Sequence, residues 1–171
     1  TLRSVCIFSS LSFSHRCKTK AFVVFFALLL FRTMTRSLIL NNVAKHISLD
    51  KEETDYFLSL FACREVPRKT ILLKEGQACR YLNFVHSGAL RAFHLDKEGK
   101  ESTIMFAVSD WWVTDMYCFL NERPAMMYIE AIEDSYIYQL SKNKMDKLYT
   151  HIPKFERFFR ILMQNAYTRE Q

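Results

Sequence analysis

Three kinds of hydrophobic pattern follow one another along the chain. Residues 21–31 form one unbroken apolar run. Residues 50–61 repeat their apolar positions at intervals of three and four, which predicts a helix that Ser48 or Asp50 caps. From residue 66 the apolar positions come in short runs, some of them alternating, which is typical of β-strands. The buried face of the predicted helix consists of Tyr56, Phe57, Leu60 and Phe61.

Six short apolar runs separated by turn residues favour an antiparallel sandwich or barrel. Pro67 fits an edge or the start of the first strand, because proline cannot donate to a ladder. Gly76 and Gly99 mark turns, and residues 133–135 join the last two strands. The predicted strands are residues 66–73, 81–86, 90–95, 102–108, 128–132 and 136–140.

Two helices are predicted after the strands. Ser141 caps a short helix that carries Met145 and Leu148, and Pro153 opens a longer one. The apolar stripe of the longer helix is wider than a single coiled-coil seam, so we expect it to pack within the chain and to form a homodimer seam. The stripe consists of Phe155, Phe158, Phe159, Leu162, Met163, Ala166 and Tyr167.

The N-terminal extension, residues 1–33, differs from the rest in composition. It is basic and free of acids, and its apolar run of residues 21–31 is shorter than the roughly 20 residues that span a membrane. Such a run suits a signal peptide, which would make this an exported or membrane-tethered binding domain. No small-residue cleavage site follows, however, and Met34 is the alternative start. We favour translated upstream sequence and exclude the extension from the fold.

Charge is distributed unevenly along the chain. Residues 1–36 hold six of the 24 basic residues and none of the 18 acids, so the remainder balances at 18 of each. The net charge of +6 therefore belongs to residues 1–36. The folded part is predicted to lack the positive field with which proteins grip nucleic acid.

Cysteine and histidine spacing indicates neither a metal site nor a catalytic centre. No two of the five cysteines form a Cys-x-x-Cys pair, which favours reduced thiols in a cytoplasmic protein. No nucleophile–base pair or phosphate-binding glycine loop is visible. We therefore predict that the chain is not an enzyme and binds no metal or cofactor. The histidines without metal-ligand spacing are His46, His86, His94 and His151.

Four stretches, in this order and spacing, resemble the Crp/Fnr family of bacterial regulators: residues 72–77, 82–91, 131–148 and 152–165. The resemblance implies a mainly β fold with flanking helices, namely an antiparallel β-roll of the cyclic-nucleotide-binding jelly-roll type over residues 34–151. A dimerisation helix would start within residues 152–171. It also implies a homodimeric sensor of a transcriptional regulator, with DNA bound only through a helix-turn-helix domain that this chain lacks. The chain is accordingly expected to be a fragment or a stand-alone sensor.

The family's ligand site consists of a characteristic set of residues, and residues 110–120 match that set only in part. A Gly-Glu pair begins a short helix and binds the ribose, and a later Arg pairs with the cyclic phosphate. Here Asp115 takes the position of the Glu without a preceding glycine, and Ala125 takes that of the Arg, with Arg123 two residues early. The resemblance therefore implies that cyclic AMP and cyclic GMP are not bound in the usual way, and it leaves the effector unknown.

The ligand-site candidates each have a second interpretation. Trp111, Trp112 and Tyr117 suit a pocket for a planar apolar ligand, but such aromatic residues more often belong to a core, which we favour. Asp115 is expected to cap a helix, and Arg123 to face water. We further expect a shift of residues 115–120 to alter packing on residues 155–167. The candidate ligand-binding residues are Trp112, Thr114, Asp115, Tyr117 and Arg123.

A cupin-like metal-dependent enzyme is the alternative function, since a β-roll with a few histidines is also its outline. Cupin enzymes hold a metal on a His-x-His motif, and His86 and His94 are too far apart for that.

Overall fold

The computed structural model describes residues 37–169. The predictions for residues 1–33 and for Met34 lie outside the described residues. The helices are α1, described over residues 37–44, α2 (Lys51–Ser59), α3 (Met116–Leu120), α4 (Lys142–His151) and α5 (Lys154–Arg169). The strands are β1 (Ala62–Val66), β2 (Ile71–Leu73), β3 (Tyr81–Ser87), β4 (Ala89–Leu95), β5 (Glu101–Val108), β6 (Trp112–Val113), β7 (Tyr128–Ala131) and β8 (Ser135–Ser141).

The strands form two antiparallel four-stranded sheets. Sheet I has the order β1-β8-β3-β6, and sheet II the order β2-β7-β4-β5. This arrangement confirms the predicted antiparallel β-roll with flanking helices. The predicted caps are confirmed too: Asp50 accepts the backbone N–H of Glu53 in a capping box, and Ser141 accepts that of Lys144.

The predicted first strand is wrong, because residues 62–73 form two strands in different sheets. β1 was missed since Cys63, Arg64 and Glu65 are all exposed, and such a strand shows no alternation of apolar and polar residues. Pro67 begins the turn between the strands, in which Lys69 takes a positive φ of 68°. The Lys69 N–H then bonds the carbonyl of Ala131 at 2.7 Å. The chain thereby passes from sheet I to sheet II.

The last two strands do not pair as a hairpin, although only residues 132–134 separate them. β7 belongs to sheet II and β8 to sheet I, so residues 132–134 carry the chain between the sheets. Gly88 lies against this crossing with a positive φ of 84°. A Cβ atom there would lie 2.4 Å from Ser135 Oγ and 2.6 Å from the Asp134 carbonyl, so no other residue fits.

Helices α1, α2 and α5 cover the outer face of sheet I. The Phe57 and Phe155 rings stack with centroids 4.7 Å apart, which joins α2 to α5. Phe155, Phe158 and Phe159 are buried within this single chain. These three residues of the predicted dimer seam therefore pack in the chain's own core, because their rings fill the space between α5 and sheet I. The part of the stripe that can meet a second chain narrows to Leu162, Met163, Ala166 and Tyr167, which are half-buried or exposed.

Candidate functional site

The segment that corresponds to the family's ligand site, residues 110–126, forms β6, α3 and a short return to sheet II. Asp115 is the N-cap of α3, as predicted, and is only 3% exposed. Its Oδ1 accepts the backbone N–H of Cys118 at 3.2 Å. Its Oδ2 accepts the backbone N–H of Met126 at 2.8 Å. One carboxylate thus accepts hydrogen bonds both from α3 and from the return that follows it.

The return after α3 is fixed by backbone hydrogen bonds to the Gly76 turn. The Gly76 N–H donates to the Ala125 carbonyl, and the Ala125 N–H donates to the Gln77 carbonyl, both at 2.8 Å. Pro124 bridges Ala78 in the same ladder. Ala125 is buried where the resemblance expects an arginine. The position therefore offers a methyl group and no charge to a ligand.

Thr114 and Cys79 connect the start of α3 to the first residues of β3. Thr114 Oγ1 donates to the Tyr81 carbonyl at 2.9 Å and lies 3.2 Å from Cys79 Sγ. Burial raises the pKa of the Cys79 thiol, and burial followed by a hydrogen bond to Asp115 raises that of Cys118. Both thiols are therefore protonated near neutral pH and act as small apolar side chains rather than nucleophiles.

The structure does not bring all five candidate residues together. Asp115 is buried and Thr114 is half-buried. In contrast, Tyr117 is 58% exposed, and Arg123 faces solvent as expected. The core interpretation is wrong for Tyr117, and Trp111 is also 36% exposed. Both lie outside the hydrophobic core, on the solvent side of the segment.

Trp112 joins the segment to the helices. Its indole N–H donates to Asn42 Oδ1 at 2.9 Å, and Asn42 Nδ2 donates to the Asp110 carbonyl at 3.1 Å. The indole lies edge-on to Phe158 and Phe159 of α5, with ring centroids 6.1 and 5.7 Å away. Trp112 therefore contacts both α1 and α5, and lies three residues before Asp115.

Sequence reasoning missed Asn42 and Cys79. A signal for Asn42 was present: it lies three residues after Ile39 on the face that buries Ile39 and Val43. A polar residue on such a face must find a hydrogen-bond partner. Cys79 left no comparable signal, because its role depends on a contact with Thr114, 35 residues away.

Within residues 37–169 no group of three or more His, Cys, Asp or Glu side chains lies close enough to hold a metal ion. In the same range no helix has the length and apolar character needed to cross a bilayer. Cys63, Cys79 and Cys118 are free thiols.

The chain is similar to known proteins both in sequence and in fold. Residues 63–151 match the sequence profile of the cyclic nucleotide-binding domain. The chain is 26% identical over 89 residues to the Anaerobic regulatory protein of Bacillus subtilis (strain 168), a match that covers 52% of this chain and 37% of that protein.

Two solved structures share the fold. A cyclic nucleotide-binding domain from Methylobacillus flagellatus KT superimposes with a TM-score of 0.68 at 22% identity, over 78% of this chain and 77% of that one. The sensor domain of the transcriptional regulator DNR from Pseudomonas aeruginosa superimposes with a TM-score of 0.65 at 13% identity, over 81% of this chain and 93% of that one.

Proposed function

The chain belongs to the cyclic nucleotide-binding domain family, and on that premise we propose that it is the sensor and dimerisation module of a Crp/Fnr-type transcriptional regulator that does not bind cyclic AMP in the usual way. The similarity to the Bacillus subtilis regulator supports the role in transcription. The match spans only 37% of that regulator. The regulatory activity of a full-length protein is therefore proposed for this chain by similarity.

One observation carries the claim about cyclic nucleotides: the Asp115 carboxylate already occupies the amides of Cys118 and Met126. A cyclic phosphate needs bare N–H groups at a helix start and a cationic partner. Here an anion of the chain itself takes the N–H of Cys118 in the first turn of α3 and that of Met126, and Ala125 supplies no charge. A phosphate would have to displace a buried carboxylate with which it shares the same sign of charge, and it would gain no ion pair in return.

The proposed signal passes from α3 to α5 through Trp112. A displacement of α3 acts on Thr114 and Asp115, which are joined to Trp112 through Val113 of β6. Since the Trp112 indole lies against Phe158 and Phe159, it would transmit that displacement to the helix proposed to dimerise. The bond to Asn42 holds the indole against α1, so α1 and α5 would respond together.

Two exposed apolar surfaces support the proposed homodimer. Ile104, Phe106 and Val108 alternate along β5, the last strand of sheet II, and Phe106 is 55% exposed. The second surface is the distal half of α5, where Tyr167 is 67% exposed. Contiguous exposed apolar side chains mark interaction surfaces more often than chance, and a second copy of the chain offers both.

In this proposal DNA is contacted through a separate helix-turn-helix domain and the protein works in the cytoplasm. The even balance of 18 basic and 18 acidic residues after residue 36 supports a module that does not itself grip phosphates. The three free thiols are compatible with a reducing compartment.

Calorimetric titration of the full chain with cyclic AMP and cyclic GMP tests the proposal. We expect no heat of binding, and no rise of the melting temperature, with either nucleotide at millimolar concentration. Ligand that binds the native state raises its stability in proportion to RT ln(1 + [L]/Kd), so even modest affinity is detectable. A saturable heat with a matching thermal shift would show that the segment binds a cyclic phosphate after all.

A further inference from the structure

A cavity of about 360 Å³ opens between the two sheets, and neither Cys118 nor Met126, whose amides Asp115 occupies, lines it. Leu72 and Leu73 of β2, in sheet II, line one wall. Asn83 of β3 and Gln139 of β8 line the facing wall, which belongs to sheet I. Tyr81, 43% exposed, lies at the solvent side. The described strands thus leave a space the size of a small organic molecule.

The cavity wall contains a polar pair where a roll interior is ordinarily apolar. Asn83 and Gln139 are direct partners in the β3–β8 ladder, so their side chains share one face. That face is the inner one, because the neighbouring Phe84 packs against Trp112 on the helix side. Gln139 Nε2 donates to Asn83 Oδ1 at 2.8 Å, and Asn83 Nδ2 donates to the Val113 carbonyl at 3.3 Å.

These bonds leave part of the pair's hydrogen-bonding capacity unused. A primary amide offers two N–H groups and a carbonyl, so Gln139 retains an acceptor, and each residue retains one N–H. Buried polar groups cost stability unless they are paired. A pair whose remaining donor and acceptor line a cavity is therefore suited to a ligand that carries its own amide, which presents the complementary donor and acceptor.

The other end of the ligand is defined by Arg80, which also lines the cavity. Arg80 forms no ion pair with any residue between 37 and 169. A guanidinium is suited to a carboxylate, which it binds in a fork geometry, and Tyr81, which also lines the cavity, adds a hydroxyl donor. Leu72 and Leu73 favour an apolar body between the two polar ends.

We propose that this cavity binds a small carboxylic acid that also carries an amide, with the carboxylate at Arg80 and Tyr81 and the amide at Asn83 and Gln139. The site is separate from the Asp115 amides, so it goes beyond the proposed function. It does adjoin them: Cys79 lines the cavity and lies 3.6 Å, through its Sγ, from the Asp115 carbonyl oxygen.

The probe is 4-carbamoylbenzoate, added to the ¹⁵N-labelled full chain, with the side-chain NH₂ signals of Asn83 and Gln139 as the direct readout. Its uncharged relative terephthalamide, in which a second amide replaces the carboxylate, is the matched ligand control. We expect saturable shifts of both NH₂ signals, with a dissociation constant on the order of millimolar, as befits so small a ligand.

Two variants separate a specific site from general charge attraction. Arg80→Gln is expected to weaken binding of 4-carbamoylbenzoate at least about tenfold and to leave terephthalamide unaffected, because only the former has a carboxylate. Arg64→Gln, at an exposed arginine on β1, is expected to change neither. The absence of saturable shifts at Asn83 and Gln139 would overturn the site. Equal binding to Arg80→Gln and wild type would overturn the carboxylate assignment. Neither result would bear on the calorimetric test with cyclic nucleotides.

Discussion

The carboxylate of Asp115 accepts the backbone N–H of Met126 at 2.8 Å, across a separation of eleven residues. The same carboxylate caps α3 through Cys118. In the proposed function, Asp115 thereby closes the segment that corresponds to the family's phosphate site, with a charge of the same sign supplied by the chain. The proposed inability of this sensor to bind cyclic AMP depends on that bond.

Replacing Asp115 by alanine is expected to lower the free energy of unfolding by about 2 to 4 kcal/mol, because the buried N–H of Cys118 and the part-buried N–H of Met126 lose their acceptor. Urea denaturation of the full chain measures the loss. Asp55→Ala, at an exposed aspartate on α2, serves as the matched control and is expected to cost less than about 0.5 kcal/mol. Equal effects of the two substitutions would mean that the Asp115 bonds contribute nothing to stability.

The contact of Trp112 with Asn42 predicts energetic coupling between β6 and α1. Trp112→Phe keeps an aromatic ring against Phe158 and removes the indole N–H, at an expected cost of about 1 to 2 kcal/mol. In a double-mutant cycle with Asn42→Ala, we expect the two losses to fall short of additivity by about 1 kcal/mol. Strict additivity would show that the two residues act independently.

The exposed apolar surfaces predict the effect of two substitutions on self-association. Phe106→Gln or Met163→Gln is expected to weaken dimerisation at least about tenfold in analytical ultracentrifugation, with little effect on monomer stability. Phe159→Ala is the contrasting variant: its ring is buried within one chain, so we expect the monomer to lose about 3 to 5 kcal/mol. A chain that stays monomeric at high concentration, or surface variants that dimerise like the wild type, would refute the proposed interface.

Stability is expected to depend on the protonation of His86. Burial lowers the pKa of its imidazole below 6.5, the value of the unfolded chain, and its Nδ1 has no hydrogen-bond partner within the described residues. Below pH 6.5 the unfolded state therefore binds a proton more readily than the folded state. The neutral, buried imidazole of His86 therefore contributes stability that is fully present above pH 6.5. That stability is lost as the pH falls through the lower pKa that His86 has in the folded state.

The variant His86→Phe removes the titrating group and retains an aromatic ring beside Tyr136 and Tyr138. Urea unfolding of both proteins, measured from about pH 7 down to about pH 5, compares their slopes of stability against pH. We expect a shallower decline in the variant. Identical slopes would contradict the role assigned to His86.

The sequence predicted the local elements better than their arrangement. Helix α2 and the strands that bear the core, such as β4, follow from periodicity, and Gly99 has the positive φ expected of its turn. β1 could not be predicted because Cys63, Arg64 and Glu65 all face solvent. The assignment of β7 and β8 to different sheets depends on the crossing beside Gly88, which local spacing does not encode.

The candidate site was predictable in the same limited sense. The helix cap at Asp115 follows from residue type, and the absence of a charge at position 125 follows from the resemblance. The bond to Met126 does not, since it requires α3 to be followed by a return that aligns Ala125 with Gln77. The exposure of Tyr117 was not predictable from its aromatic residue type either, because burial of a side chain depends on tertiary packing.

A through-hydrogen-bond scalar coupling tests the central claim most directly. A long-range HNCO experiment on the deuterated, ¹³C,¹⁵N-labelled full chain would connect the Met126 amide nitrogen to the carboxyl carbon of Asp115. The account predicts that this correlation is present and that it persists, unchanged in intensity, when cyclic AMP is added in large excess. Its absence, or its loss on addition of cyclic AMP together with a shift of the Met126 amide, would show that the segment remains available to a phosphate.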